Sequence, residues 1–450
     1  MARWLRAHAV AVALPALSRL RHLGPRSRRL GLAVVSSLAG RFVNLAVQMV
    51  QVPLLVAAVG ADRFGEAVAV TAFLGLLAGF DLGFGAAVKN AAADLCGRRE
   101  TGALMALLIK ATAWSAGFAI LVGGVVAFAP HWLTPLPGSD SILPMLGRDA
   151  TTRWLLVAFV GLGLPLATAT HCAEGMQLIW LVNACRIVAA GIGLGLIMML
   201  AAVVSQRWQV VALLALMPLL AGVFIWLAIW RQVPRRSRGG DHAPPLRRLI
   251  RDGFPFLLPI VASLLVTNAP PLAILAADGA PAVTRYVVGQ RMMTILIQPL
   301  MFVVGPLWPA FAEARATGDR DWVARQVWRA SCIGVTYCTA VTLTAIVGGR
   351  WVATLWMGRA ESVPTAAEMT AIAAAAAASA VVQPGAMLLN AYRRFRLSTI
   401  VAILQIALAL AYEPLARLAG PAAVPAAQAI FGLLVVVPAV IVDSRAALRP

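Results

Sequence analysis

Residues 59–100, VGADRFGEAVAVTAFLGLLAGFDLGFGAAVKNAAADLCGRRE, hold a charged turn (Asp62, Arg63, Glu66), an apolar run and a basic end (Arg98, Arg99). The run covers 65–92, longer than the roughly 20 residues that carry an α-helix across a bilayer. It reads as one membrane-spanning helix flanked by polar connections. The same pattern recurs on either side of it.

Further apolar runs begin at 31 and continue to 443. The spans expected are 31–58, 65–92, 103–129, 154–174, 178–203, 208–230, 254–277, 284–313, 327–349, 366–390, 397–416 and 424–443. Composition agrees: 61% of the chain is hydrophobic and 12% charged, against about 45–50% and 25% in soluble domains. The expected fold is an all-α membrane protein of about 12 transmembrane helices. The organisation expected is a basic cytoplasmic tail over 1–30, a six-helix lobe over 31–230, a basic linker over 231–253, a second six-helix lobe over 254–443 and a tail over 444–450.

The net charge of +20 does not point to nucleic acid, because it lies in short segments between apolar runs. Arg98 and Arg99 fill the second connection. Arg231, Arg235, Arg236, Arg238, Arg247, Arg248 and Arg251 fill the central one, and Arg393, Arg394 and Arg396 the tenth. These even-numbered connections share a side with the basic amino terminus. Positive charge collects in the cytoplasm, so both termini are expected there. The five cysteines show no C-x-x-C pair, and the five histidines form no zinc-binding pattern. No P-loop or dinucleotide fingerprint is present. No cofactor, metal site or catalytic residue is therefore expected.

Ionisable groups inside spans are costly, about 2.5–3.5 kcal/mol at a helix centre on insertion scales, and usually face a cavity or a partner. In the first span Arg41, Asn44, Gln48 and Gln51 fall on one helical face. That polar stripe either lines a cavity or forms a helix–helix seam. The second span carries Asp81 and Lys89, the fifth Arg186, and the eighth Arg291 with Gln298 seven residues on. These nine residues are the candidate substrate-cavity positions. Lys89 and Arg186 lie near helix ends, where snorkelling to headgroups is the alternative, and Asp81 is a candidate partner for Lys89. Basic groups outnumber acidic ones within the spans, which suits an anionic substrate, since arginine presents a planar fork to phosphate oxygens.

The halves correspond weakly. A shift of about 222 residues lays FGEAVAV (64–70) over YVVGQRM (286–292) and DLCGRRE (94–100) near ARATGDR (314–320). The 59–100 stretch resembles the amino-terminal signature of bacterial polysaccharide-export flippases: a loop ending in F-G, a helix with D-L-G (Asp81, Leu82, Gly83) and a small basic loop. Residues 285–323, RYVVGQRMMTILIQPLMFVVGPLWPAFAEARATGDRDWV, are similar to that family's eighth helix with its ending Pro309, Glu313, Gly318, Asp319. The family belongs to the multidrug/oligosaccharidyl-lipid/polysaccharide exporter superfamily, which includes the MATE transporters.

The resemblance implies two six-helix, MATE-like lobes around a central cavity that opens alternately to each side. It implies a polyprenyl-pyrophosphate-linked oligosaccharide as substrate, O-antigen synthesis being one setting, with its lipid tail among membrane lipids of the bacterial inner membrane. H⁺ or Na⁺ coupling and a glycan polymerase or glycosyltransferases as partners are also implied. Arg41 and Arg291 would meet pyrophosphate or acidic sugars. The alternatives are a cation-coupled multidrug antiporter of the same fold and a membrane-embedded glycan-processing enzyme.

Overall fold

The computed structural model describes residues 25–79, 83–98, 100–133, 149–232, 243–392, 394 and 396–448. Asp81, the amino-terminal tail before 25 and residues 233–242 of the central linker lie outside the described residues. Everything regular among the described residues is helical.

The amino-terminal half holds α1 (Pro25–Gly79), α2 (Phe84–Arg98), α3 (Thr101–Leu133), α4 (Ala150–Gly175), α5 (Ile179–Leu200) and α6 (Arg207–Gln232). A short amphipathic helix, α7 (Leu246–Gly253), leads into the other half. There follow α8 (Leu257–Asp278), α9 (Ala280–Val304), α10 (Leu307–Thr317) and α11 (Arg320–Met357). The chain ends through α12 (Ala366–Val381), α13 (Gln383–Tyr392), α14 (Arg396–Leu410), α15 (Tyr412–Ala419), α16 (Ala423–Phe431) and α17 (Val437–Leu448).

Ten of the described helical segments are long and apolar enough to cross a membrane, or eleven when α14 and α15, bent by 46°, count as one span. The first of the ten, Val35–Leu77, is counted whole although Gly60 breaks it with φ 83° and ψ 167°. The two expected spans 31–58 and 65–92 thus meet at a one-residue corner. Such positive φ is readily adopted only by glycine. Gly279 makes the same corner between α8 and α9, with φ 79° and ψ −179°. The internal correspondence is therefore visible in backbone geometry, at an offset three residues shorter than the side-chain pattern suggested. The span that follows Gly279 is interrupted near its far end, at 305–306.

Local chemistry fixes the remaining boundaries. Gly318 ends α10 in the left-handed conformation, and the Asp319 carboxylate caps α11 by accepting from the Trp322 N–H at 3.0 Å. The Gly-Asp pair of the family-like ending is thus a stop signal followed by a start signal. Thr365 and Glu368 form a reciprocal capping box at the start of α12. Asp149 accepts from the Thr151 N–H and caps α4.

Helices α1–α6 pack chiefly on one another, as do α8–α17; α1 meets α8 and α9 across the halves. Glycines allow that meeting. A side chain at Gly65 would overlap the Ala280 carbonyl, and one at Gly83 the Gly253 carbonyl. Hydrogen bonds tie the same seam: Thr284 Oγ1 to Ala61 O at 2.6 Å, Trp356 Nε1 to Met49 O at 2.8 Å, and Arg359 to Ala57 O at 3.3 Å.

Candidate functional site

Two cavities stand out, each within one half of the chain. The amino-terminal one has a volume of about 940 Å³ and is walled by α1, α4, α5 and α6. Arg41 and Asn44 enter it from α1, Asn183 and Arg186 from α5, and Thr170 and His171 from α4. Arg41 and Arg186, expected in the first and fifth spans, are thereby brought to one space. Among its described lining residues there is no carboxylate. Asn183 also anchors the wall, since its amide donates to Ser36 Oγ at 3.2 Å and Ser37 Oγ at 2.9 Å on α1.

The carboxy-terminal cavity, about 480 Å³, is neutral. It is lined by Gln290 and Gln298 from α9, Gln383 from α13, Gln405 from α14 and Gln428 from α16, with Tyr286 and Tyr412. Neither cavity is lined from both halves. Helix α1 packs closely on α8 and α9 where the two halves meet.

The expected stripe on the first span divides. Arg41 and Asn44 face the arginine cavity, and the Arg41 guanidinium also lies 6.0 Å from the Phe302 ring centroid. Gln48 is buried and accepts a hydrogen bond from Arg291 at 3.1 Å, across the two halves. Arg291 therefore sits at the seam and lines neither cavity. Gln51, half-buried, likewise lines neither. Gln298 does reach a cavity, the neutral one.

Lys89 lies outside both cavities. Its ammonium pairs with Glu174 at 3.1 Å, joining α2 to α4. The candidate partner Asp81 is outside the described residues, so Glu174 is the partner seen. Sequence spacing could not have found a pair 85 positions apart.

The turn ends of the helices carry a second charged cluster. Arg207, at the start of α6, pairs with Glu66 at 3.0 Å and Asp149 at 3.3 Å. Arg285 binds both oxygens of Glu368 at 3.0–3.1 Å. Both clusters clamp helix ends and line neither cavity.

Solved structures of 12–16% identity share this fold. An inward-facing multidrug resistance MATE family transporter of the MOP superfamily superposes with TM-score 0.62 at 16% identity, over 89% of this chain and 94% of its own. The lipid II flippase MurJ, in an inward closed conformation, gives 0.60 at 12% identity, over 92% and 87%. A MOP superfamily transporter from Pyrococcus furiosus gives 0.56 at 13%, over 97% and 99%. No curated protein is matched in sequence.

A family model described as Polysaccharide biosynthesis protein matches residues 33–315, more than half of the 450-residue chain. The chain belongs to that family. The resemblance read from residues 59–100 and 285–323 falls almost wholly within the matched region.

Proposed function

We propose that the protein moves a polyprenyl-pyrophosphate-linked oligosaccharide from the inner to the outer leaflet of a bacterial plasma membrane, by alternating access of two six-span lobes. Its work is transport and not catalysis. The observation that carries this reading is the convergence of Arg41 and Arg186 on a cavity whose described lining holds no carboxylate. Guanidinium groups recognise phosphate oxygens through paired, charge-assisted hydrogen bonds. A cation-coupled drug site would instead call for acidic lining. The lipid-linked character of the substrate of MurJ, a protein of the same fold, and the family description support the choice of substrate. The arginine-rich even connections support cytoplasmic termini. Coupling to H⁺ or Na⁺ and association with glycan polymerase or glycosyltransferases complete the proposal.

The test is glycan export in a strain depending on this protein, with membrane level measured in parallel. Arg41→Ala is expected to abolish export at normal abundance, and Arg41→Lys to retain part of it, since charge persists but the planar fork is lost. Full export by well-expressed Arg41→Ala would remove the arginine cavity from the transport path.

A further inference from the structure

The neutral cavity of the carboxy-terminal half has no role in the reading above. Five glutamines among apolar helices are an unusual expense for a wall, because a buried amide without a partner costs free energy. Three of them find protein partners. Gln428 donates to Val266 O at 2.9 Å and to the Tyr412 hydroxyl at 3.0 Å. Gln290 donates to the Tyr286 hydroxyl and Gln383 to Ser379 O, each at 3.4 Å. Gln298 differs: its carbonyl oxygen is buried with no hydrogen-bond partner.

Backbone geometry marks the same place independently. The break between α12 and α13 at Val382 is in the wall. So is Tyr412, which follows the bend between α14 and α15. A π-helical turn, Gly432–Val436, adds Gly432 and Val436. Interrupted spans expose backbone groups and recur where transporters hold their substrates, and π turns are frequent at functional sites.

The chemistry of the lining selects the ligand. No charged side chain among the described residues lines the cavity, which disfavours an anion or a cation. The amides are too many for a purely apolar guest. Each amide offers both donor and acceptor, the complement of a hydroxyl, which is also both. The volume of about 480 Å³ falls within the roughly 300–1,000 Å³ of small-ligand pockets. We propose that this cavity is a second binding site that takes a neutral sugar residue, separate from the arginine cavity. The proposal rests on the glycan-transport reading and divides the substrate's chemistry between two sites: anionic groups on Arg41 and Arg186, neutral hydroxyls on the glutamines.

The experiment uses the full chain in lipid nanodiscs, because a maltoside detergent would itself present sugar. Maltotriose serves as the neutral probe and inorganic pyrophosphate as the anionic one, with binding followed by saturation-transfer NMR titration. Gln298→Leu and Gln405→Leu are each expected to weaken maltotriose at least tenfold while leaving pyrophosphate unchanged. Arg41→Ala is expected to do the reverse. Gln298→Leu removes an unpartnered polar atom and so keeps the wall folded; Gln405→Leu supplies an independent second variant. Absence of saturable maltotriose binding to the wild type, or unchanged maltotriose affinity in both folded glutamine variants, would overturn the sugar site. Maltotriose binding that follows the glutamines while pyrophosphate does not bind would uphold it and count against the arginine cavity alone.

Discussion

Arg285→Met should destabilise the protein strongly, and Glu368→Gln should repair most of the damage. Glu368 is 4% exposed. Both its oxygens are held by Arg285 at 3.0–3.1 Å, and Oε2 also accepts from the Thr365 N–H at 2.7 Å. Without Arg285 the carboxylate keeps only its cap. Removing one partner of a buried ion pair costs about 3–5 kcal/mol. A quarter of the Arg285 side chain is exposed, so water can partly replace it, and the expected loss is about 3 kcal/mol. Glu368→Gln removes the stranded charge but keeps an acceptor for Thr365. The double variant should therefore lie within about 1 kcal/mol of wild type, the worth of one ordinary hydrogen bond. Denaturant unfolding in mixed micelles, followed by tryptophan fluorescence, measures all three. A single variant as stable as wild type would refute the reasoning. So would a double variant no better than the single, since the cost would then come from packing and not from an unpaired charge.

Two further outcomes test the helix ends. Burial raises the Asp149 carboxyl, but hydrogen bonds from the Thr152 side chain and backbone, with the Arg207 guanidinium, outweigh it and hold its pKa below the ordinary 3.8. A depressed carboxylate stabilises fully above its unfolded value and loses that stabilisation as pH falls through its folded value. Asp149→Asn should thus lower the melting temperature at pH 7, by the equivalent of about 1.5–3 kcal/mol, the worth of a hydrogen bond to a charged group. The gap should close below pH 3.8; a gap independent of pH would show that charge is not involved. Gly65→Ala should cost about 1–3 kcal/mol, as overpacking does, because its new methyl would meet the Ala280 carbonyl. An unchanged melting temperature would contradict that close approach.

The membrane class, the helical fold and most span positions could be read from apolar run length, which depends only on bilayer thickness. The site was legible only in part, and the stripe on the first span shows why. Arg41 and Gln48 are seven residues apart, nearly the same face, so periodicity groups them correctly. They differ in depth by about 10 Å, and at the depth of Gln48 the partner is α9 instead of open space. Depth relative to a neighbouring helix is not encoded in one helix's spacing. Gln290 and Arg291 are adjacent in sequence yet meet different neighbours, one the neutral cavity and one α1. Both sides of α9 meet protein, so no apolar stripe distinguishes them. The series Gln290, Thr294, Gln298, at i, i+4 and i+8, was the available signal for the neutral cavity.

The seam between the halves bears on the proposed transport cycle. At the end near Gly60 and Gly279 it is tied by Thr284 to Ala61 and Arg359 to Ala57, and deeper by Trp356 to Met49 and Arg291 to Gln48. None of these is an ion pair. A net hydrogen bond contributes about 0.5–1.5 kcal/mol, and one from a charged donor about 1.5–3. Together the four bonds contribute about 4–9 kcal/mol to the seam. Glycine contacts such as Gly65 on Ala280 permit close approach of the backbones there. The strong ion pairs, Arg207 with Glu66 and Asp149 and Arg285 with Glu368, join helices within a half. The seam also shares a hydrophobic core, with Val52, Leu55 and Phe64 of α1 packed among Ile274, Val283 and Val287 of α8 and α9, so rocking between two access states would have to expose that apolar surface as well.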